Sequence, residues 1–177
     1  MTYTYHYDSP FGGITLASDG MALSGLWFDG QKYFADNIDD DTGEKRLPIF
    51  DETVRWLDIY FAGKAPDFIP PLLMKTTPFR KCVWEVMLTI PYGKTMTYRE
   101  IADEMAGKMG IAKMSAQAVG GAVGHNSVSL IIPCHRVVGT NGSLTGYAGG
   151  IDKKLQLLRL EGTDISGLFI PKKGTAL

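Results

Sequence analysis

The chain has 177 residues, 45% of them apolar, and a net charge of −1. That length suits one large domain or two small ones, and the composition is ordinary for a soluble globular protein. No uninterrupted apolar run approaches the ~20 residues of a membrane span. The start, Met1-Thr2-Tyr3-Thr4-Tyr5-His6-Tyr7, lacks the basic-then-apolar order of a secretory signal. Cys82 and Cys134 are too few for a disulfide framework, and two Cys with three His at scattered spacings do not make a metal site. A cytoplasmic setting, which keeps thiols reduced, is expected. The charge is uneven: residues 1–75 carry 6 Lys/Arg and 12 Asp/Glu, whereas residues 76–177 carry 12 and 7. A basic second half permits a polyanion partner.

In chain order, Tyr3, Tyr5 and Tyr7 alternate with Thr2, Thr4 and His6, which predicts a strand. Ser9 to Gly13 turns the chain. Ile14–Ala17 and Leu23–Phe28 follow as strands around an Asp19-Gly20 turn, giving an antiparallel meander. The tyrosines read as cross-strand pairs rather than a stacking platform. Asp39-Asp40-Asp41-Thr42-Gly43 reads as a solvated loop and does not match a calcium loop. Asp51 is placed as the cap of a helix through Ala62, with Val54, Leu57 and Phe61 inward and Gly63 ending it. The Pro-rich run Lys64–Pro71 marks a domain boundary, dividing the chain into residues 1–75 and 76–177.

The second half opens with Thr77-Pro78, a helix cap followed by proline at the first helical position. Phe79, Cys82, Val83, Val86, Met87 and Ile90 then recur at helical spacing, which assigns Cys82 to the core. Thr97-Tyr98-Arg99-Glu100 fits a capping box, with Ile101, Ala102 and Met105 inward along a short helix to about Ala106. Ser115 caps a second short helix, Ala116–Gly124. Two short helices in a basic half-chain suggest a helix-turn-helix.

That second helix contains Gly120, Gly121 and Gly124 and no Arg or Lys. Each glycine costs about 1 kcal/mol of helix propensity relative to alanine. A helix that reads the major groove carries long polar side chains; this smooth one instead permits close approach, either to the protein core or to a nucleic-acid backbone. Asn126 reads as a structural pin in the turn that follows. The last clear helix starts at Ile151-Asp152, turns Leu155, Leu158 and Leu160 inward, and ends at Glu161-Gly162. A carboxylate there opposes the helix dipole.

The chemistry centres on Pro133-Cys134-His135-Arg136-Val137-Val138-Gly139, led in by Leu130-Ile131-Ile132 and followed by a glycine-rich segment to Gly150. A thiol becomes a strong nucleophile as thiolate, which needs a base or a positive neighbour, and His135 is the candidate. The plainer alternative is a buried structural cysteine. Glu161 is a candidate partner for His135, completing a Cys-His-carboxylate arrangement.

With these residues in place, the sequence resembles the O6-alkylguanine-DNA alkyltransferases, the methylated-DNA–protein-cysteine methyltransferases. The resemblance rests on Ile132-Pro133-Cys134-His135-Arg136-Val137-Val138, with Thr97-Tyr98, Ile101-Ala102, Ala118-Val119-Gly120, Asn126, Gly146-Tyr147, Gly149-Gly150 and Glu161-Gly162 in family order. Asp8-Ser9-Pro10 and Gly25-Leu26-Trp27-Phe28 extend it into the first half. It implies an α+β fold: an N-terminal ribonuclease-H-like antiparallel sheet domain, residues 1–75, and a mainly helical, winged-helix-like domain with a helix-turn-helix, residues 76–177.

The resemblance further implies irreversible, single-turnover transfer of an alkyl group from O6-alkylguanine in duplex DNA to Cys134. The base would be flipped out through minor-groove binding by a monomer, without cofactor, metal or membrane. O4-alkylthymine is the second lesion class to consider. His135 acts through a water as base, Glu161 orients it, Asn126 organises the hinge and Tyr98 donates a proton to the leaving guanine. Main-chain groups of Cys134 and Val137 read the guanine edge. Ala148 faces O6, and Tyr147 shapes the alkyl pocket. Ala116, Ala118, Gly120 and Gly121 match the small residues that enter the minor groove. Where the family commonly has an arginine finger, this chain has Gln117, which can hydrogen-bond an orphaned base but brings no charge. The zinc ligands of some members have no counterpart. Two other classes compete: a lesion-binding protein without transfer, against which Cys134 argues, and a thiol hydrolase, which needs an oxyanion hole and repeated turnover.

Overall fold

The protein's structure, a computed structural model, describes residues 1–172. The chain forms two compact units: Met1–Lys75 together with Ser127–Ile131, and Thr76–Asn126 together with Ile132 onward.

In the first unit the alternating tyrosines lie on β1 (Thr2–Ser9), which pairs antiparallel with β2 (Gly12–Ser18), and β2 pairs antiparallel with β3 (Leu23–Phe28). The sheet order is β3-β2-β1-β4. Here β4 (Thr42–Glu44) lies parallel to β1. This corrects two expectations: the sheet is not purely antiparallel, and the acidic loop ends in a strand. Thr42 is the one strand-favouring residue of Thr-Gly-Glu, too little to announce a strand, and pairing to an available edge decides the matter.

Helix α1 (Pro48–Phe61) starts at proline, with Leu47 as a cap that makes no side-chain hydrogen bond and Asp51 in the first turn. It does not start at Asp51, because proline's fixed φ already presets the first turn. Its buried face is Ile49, Phe50, Thr53, Trp56, Leu57 and Tyr60. Val54 and Phe61 are half-buried, so the stripe is rotated from the expected one. The β1 tyrosines pack on this helix: Tyr5 stacks on Phe50 at 5.8 Å, and Tyr7 stacks on Phe61 at 6.3 Å and donates to Asp58 at 2.7 Å. They are a packing layer between strand and helix.

Strand β3 is buried throughout. Its outer edge is occupied: the Leu23 amide donates to Pro71 O, the Leu73 amide to Leu23 O, the Leu26 amide to Ser127 O and the Ser129 amide to Leu26 O. A sheet edge so covered offers no template for further pairing. Leu130 closes this segment with φ +70°, a left-handed conformation in a fully buried, bulky residue.

The second unit builds on α2 (Pro78–Met87), β5 (Met96–Thr97), α3 (Tyr98–Met109), α4 (Ala116–Gly124), β6 (Val137–Val138) and α5 (Ile151–Leu160). The Thr97–Glu100 capping box is present in both directions, and the left-handed Gly110 ends α3. Ser115 caps α4 through the Ala118 amide. Helices α2, α3 and α4 bury Val83, Val86, Met87, Ile101, Ala102, Met105, Val119, Ala122 and Val123. Trp84 joins them by donating its indole N–H to the Ala122 carbonyl at 2.9 Å. Cys82 is exposed, contrary to its assignment to the core. The buried face runs instead through Val83, Trp84, Val86 and Met87, turned away from Cys82 towards Trp84.

Parallel pairing of β5 with β6 sets Met96 opposite Val137 and Thr97 opposite Val138. This places Tyr98, the first residue of α3, beside the stretch that follows Cys134. A second core, Val138, Leu144 and Leu158, with Ile151, Leu155, Ile165 and Leu168 against it, anchors α5 beneath the glycine-rich loop. Among the described residues no helix is long and apolar enough to cross a membrane.

Gly25 carries a testable constraint in the first unit. A Cβ built there would collide with the Trp27 indole on the same face of β3. Gly25→Ala is expected to destabilise the protein by about 1–3 kcal/mol through overpacking, read as a lowered Tm in thermal unfolding. An unchanged Tm would mean that the ring can move aside.

Candidate active site

Cys134 sits in a single 3-10 turn, Cys134–Arg136, and is buried with 5% exposure. No disulfide involves it. Pro133 precedes the turn, and the Cys134 amide donates to Ile132 O at 2.9 Å. Asn126 Nδ2 donates to the same Ile132 carbonyl at 2.7 Å. Asn126 and Ile132 flank the five residues that belong to the first unit, so this bond ties the two ends of that excursion together.

Glu161 caps α5 at its C-terminus and is 6% exposed. Its Oε2 is hydrogen-bonded to His135 Nε2. Its Oε1 accepts from Arg136 Nε at 2.8 Å and from the Gly93 amide at 2.9 Å. Arg136 also donates to the Ile90 carbonyl at 2.8 Å, and its guanidinium lies 5.7 Å from the Tyr92 ring centre. Burial alone would raise the Glu161 pKa. The hydrogen bonds and charges of His135 and Arg136 outweigh it and bring the group down from 4.5 to about 2.

His135 is fully buried, and its pKa is lowered. Desolvation is the main cause, aided by the charges of Arg136 and Lys154, against the pull of Glu161. The pair is therefore an anionic carboxylate and a neutral imidazole. An ionised carboxylate only accepts, so His135 Nε2 carries the proton and Nδ1 is the basic nitrogen.

Lys154, on α5, is 0% exposed. Its ammonium donates to the Val137 carbonyl and to the Thr145 carbonyl, the latter at 2.8 Å. Burial lowers its pKa from 10.5 to about 8, while the negative charge available at Cys134 works the other way. At neutral pH Lys154 is a cation within electrostatic range of the sulfur, which favours the thiolate. Tyr98 OH donates to the same Thr145 carbonyl at 3.0 Å. Burial first, then the Cys134 charge, raises the Tyr98 pKa. Gly146 follows at φ +80°, and a Cβ there would press into the Tyr98 hydroxyl. Tyr147 is 5% exposed and its pKa is raised by burial, then by Cys134 and Glu161. Gly149 lies under its ring, where a Cβ would come within 2.8 Å.

The structure thus gathers Cys134, His135, Glu161, Tyr98 and Tyr147 around one buried centre. Ala148 is half-buried beside Tyr147. Val137 is buried; its amide donates to Cys134 O, and its carbonyl accepts from Lys154 and keeps a second lone pair. The α4 residues are not part of this centre. Gln117, Ala118 and Gly121 are exposed, and Ala116 and Gly120 are half-buried. A Cβ on Gly120 would meet the Tyr98 ring at an ordinary 3.9 Å, and one on Gly121 would meet nothing within 4 Å. Packing inside the protein therefore does not require these glycines.

Sequence reasoning passed over Arg136 and Lys154. Lys154 carried a signal: it lies three residues after Ile151 and four before Leu158, on the apolar stripe of α5. Arg136 stood beside the nucleophile, with nothing local to say that it turns inward.

Comparison with known proteins follows this geometry. Residues 1–73 match the 6-O-methylguanine DNA methyltransferase, ribonuclease-like domain, and residues 78–163 match the DNA binding domain of the same family. A methylated-DNA–protein-cysteine methyltransferase of Mycobacterium bovis is 44% identical over 161 residues, 88% of this chain and 92% of its own length. A protein of the same name from Methanosarcina acetivorans is 41% identical over 158 residues, covering 89% and 96%. Among solved structures, Mycobacterium tuberculosis OGT in complex with DNA matches with a TM-score of 0.79 and 41% identity, covering 90% of this chain and 92% of that one. With both halves of the chain matched and the buried thiol in place, the chain belongs to the 6-O-methylguanine DNA methyltransferase family.

Proposed function

We propose that this protein repairs alkylated duplex DNA by transferring the alkyl group from O6 of guanine to Cys134, once per molecule. The observation that carries this reading is a buried thiol next to a neutral histidine whose tautomer is set by an ionised carboxylate, in a chain matched by this family over residues 1–73 and 78–163. The protein acts as a cytoplasmic monomer.

An O6-alkyl group lies at the pairing edge of guanine, out of reach in a stacked duplex, so the base is extruded at a cost of a few kcal/mol. The exposed small residues of α4, Ala118 and Gly121 with Ala116 and Gly120 at their side, suit close approach to the minor groove. Gln117 shares that exposed face and is placed to occupy the gap left by the extruded nucleotide. It hydrogen-bonds there but adds no charge.

The Cys134 proton passes to His135 Nδ1, through a water where one bridges them. The imidazolium so formed is held by Glu161. The Lys154 charge stabilises the thiolate. The sulfur then attacks the alkyl carbon in line, the S–C bond forms as the C–O6 bond breaks, and the electron pair leaves with guanine. Tyr98 donates to that guanine. Because its pKa is raised, it supplies a hydrogen bond to the developing charge more readily than a complete proton transfer. The product thioether has no carbonyl for water to attack, and the protein does not turn over. Asn126 holds the two ends of the Ser127–Ile131 segment, and main-chain groups of Cys134 and Val137, with Ala148 and Tyr147, line the place of the base.

Incubation with O6-methylguanine duplex is expected to add one methyl to the tryptic peptide holding Cys134, seen by mass spectrometry. Complete loss of the lesion with that peptide unmodified would sink the reading. Glu161→Gln is expected to slow single-turnover transfer while leaving duplex affinity nearly intact.

The same substitution has a stability signature. A carboxylate whose pKa falls from 4.5 unfolded to about 2 folded contributes stability above pH 4.5 and loses it as pH drops towards 2. The gap in unfolding free energy between the parent protein and Glu161→Gln is expected to be on the order of 3 kcal/mol at neutral pH, and to shrink below pH 4.5. A gap independent of pH would remove the charge from the account. Lys154→Met takes the lysine donor from the buried Val137 carbonyl, while the Thr145 carbonyl keeps Tyr98, and is expected to cost about 1–3 kcal/mol. It should also slow transfer more than it weakens DNA binding, as measured by stopped-time assays and titration.

A further inference from the structure

The last residues of α3 and its connection to α4 are unaccounted for by the chemistry above. Residues 107–113 are exposed without interruption. Within them Met109 is 52% exposed and Ile111 is 44% exposed, with Lys108 on one side and Lys113 on the other. An apolar residue directly after a left-handed glycine ordinarily packs back on its helix. Ile111 follows Gly110 and sends its amide back to Ala106 O at 3.0 Å, yet the residue stays 44% exposed.

The local charge is one-sided. No Asp or Glu occurs between Glu104 and Asp152, so neither the connection nor α4 carries a carboxylate. The acids of α3, Glu100, Asp103 and Glu104, end one turn before Lys108, and Asp103 pairs with Arg99 at 3.9 Å. Arg99 also donates to the Met114 carbonyl at 3.2 Å, fixing the end of the connection that leads into Ser115 and α4. The surface is therefore continuous along the chain with the face that bears Gln117, Ala118 and Gly121.

We propose that residues Lys108–Lys113 form a second DNA-contacting element beside α4: Lys108 and Lys113 lie on phosphates flanking the lesion, and Met109 and Ile111 press against the groove wall. Cations bracketing apolar side chains match a phosphate backbone bordering sugar and base edges, and apolar wedges are a recurring device of minor-groove binders. This element supplies backbone affinity that Gln117, uncharged, does not. The proposal rests on the DNA-repair reading above.

The test compares the parent protein with Lys108→Ala/Lys113→Ala and with Met109→Ser/Ile111→Ser. Each is titrated with an O6-methylguanine duplex at several salt concentrations and assayed for alkyl transfer from a free O6-alkylguanine base. The lysine pair is expected to lose about tenfold in duplex affinity at low salt, and to reduce the slope of log affinity against log salt by about 2, one phosphate each. The Met109/Ile111 pair is expected to lose about fivefold with the slope unchanged, since apolar contact releases no counterions. Both should react with the free base at the parent rate, which also reports an intact fold. Parent affinity and slope in both variants would overturn this inference and leave the repair function standing. A parent protein that reacts with neither free base nor duplex would instead overturn the function on which it rests.

Discussion

A single buried carboxylate holds the reactive centre together. Glu161 takes donors from His135, Arg136 and the Gly93 amide. These partners come from the turn after α2 and from the Cys134 turn, and Glu161 itself from the end of α5. Removing one member of such a buried, paired set typically costs 3–5 kcal/mol, because it strands the remaining charge. Glu161 also sits where a helix dipole disfavours an anion, a penalty of a fraction of a kcal/mol. Three charge-assisted hydrogen bonds, one of them from the Arg136 cation, outweigh that. The position is thus poor for the helix alone and good for the assembled unit.

The ionic state of the centre follows from the same contacts. Desolvation keeps His135 neutral, while His135 and Arg136 keep Glu161 ionised. The imidazole is held with its proton towards Glu161 and its lone pair on the other nitrogen. Arg136, which also donates to the Ile90 carbonyl, adds a fixed positive charge, and Lys154 adds another on the far side of the Val137 carbonyl. A thiol in these surroundings has both a base and cations, which is the condition for nucleophilicity that a cysteine beside a histidine does not by itself meet. Thr145 has an understated part: its carbonyl receives both Tyr98 and Lys154, so the glycine-rich loop, α3 and α5 meet at one oxygen.

Elements with strong local signals were legible before any coordinates. The Thr97–Glu100 capping box, the Ser115 cap, the span of α4 and the strand Leu23–Phe28 all depend on residues within a few positions of one another. The errors fall where choice between neighbours depends on the partner. The α1 stripe is turned towards Trp56 and Tyr60, away from Val54 and Phe61. The α2 stripe is turned towards Trp84, away from Cys82. Strand β4 forms on a weak sequence because β1 offers it an edge.

The sequence by itself supplied the candidate nucleophile, its candidate base, the smooth helix and the family, since each is a matter of residue identity and order. It also marked Glu161 as out of place on its own helix. Only the tertiary structure decided what Glu161 pairs with, that Arg136 turns inward, and that Lys154 is buried against two carbonyls. It likewise decided that Gly121 faces open space, while Met109 and Ile111 remain about half exposed. The division has one physical cause: caps and periodicities are energies between residues close in sequence. The free energy of a buried charge is set by groups far apart in sequence, and it has no value until the fold brings them together.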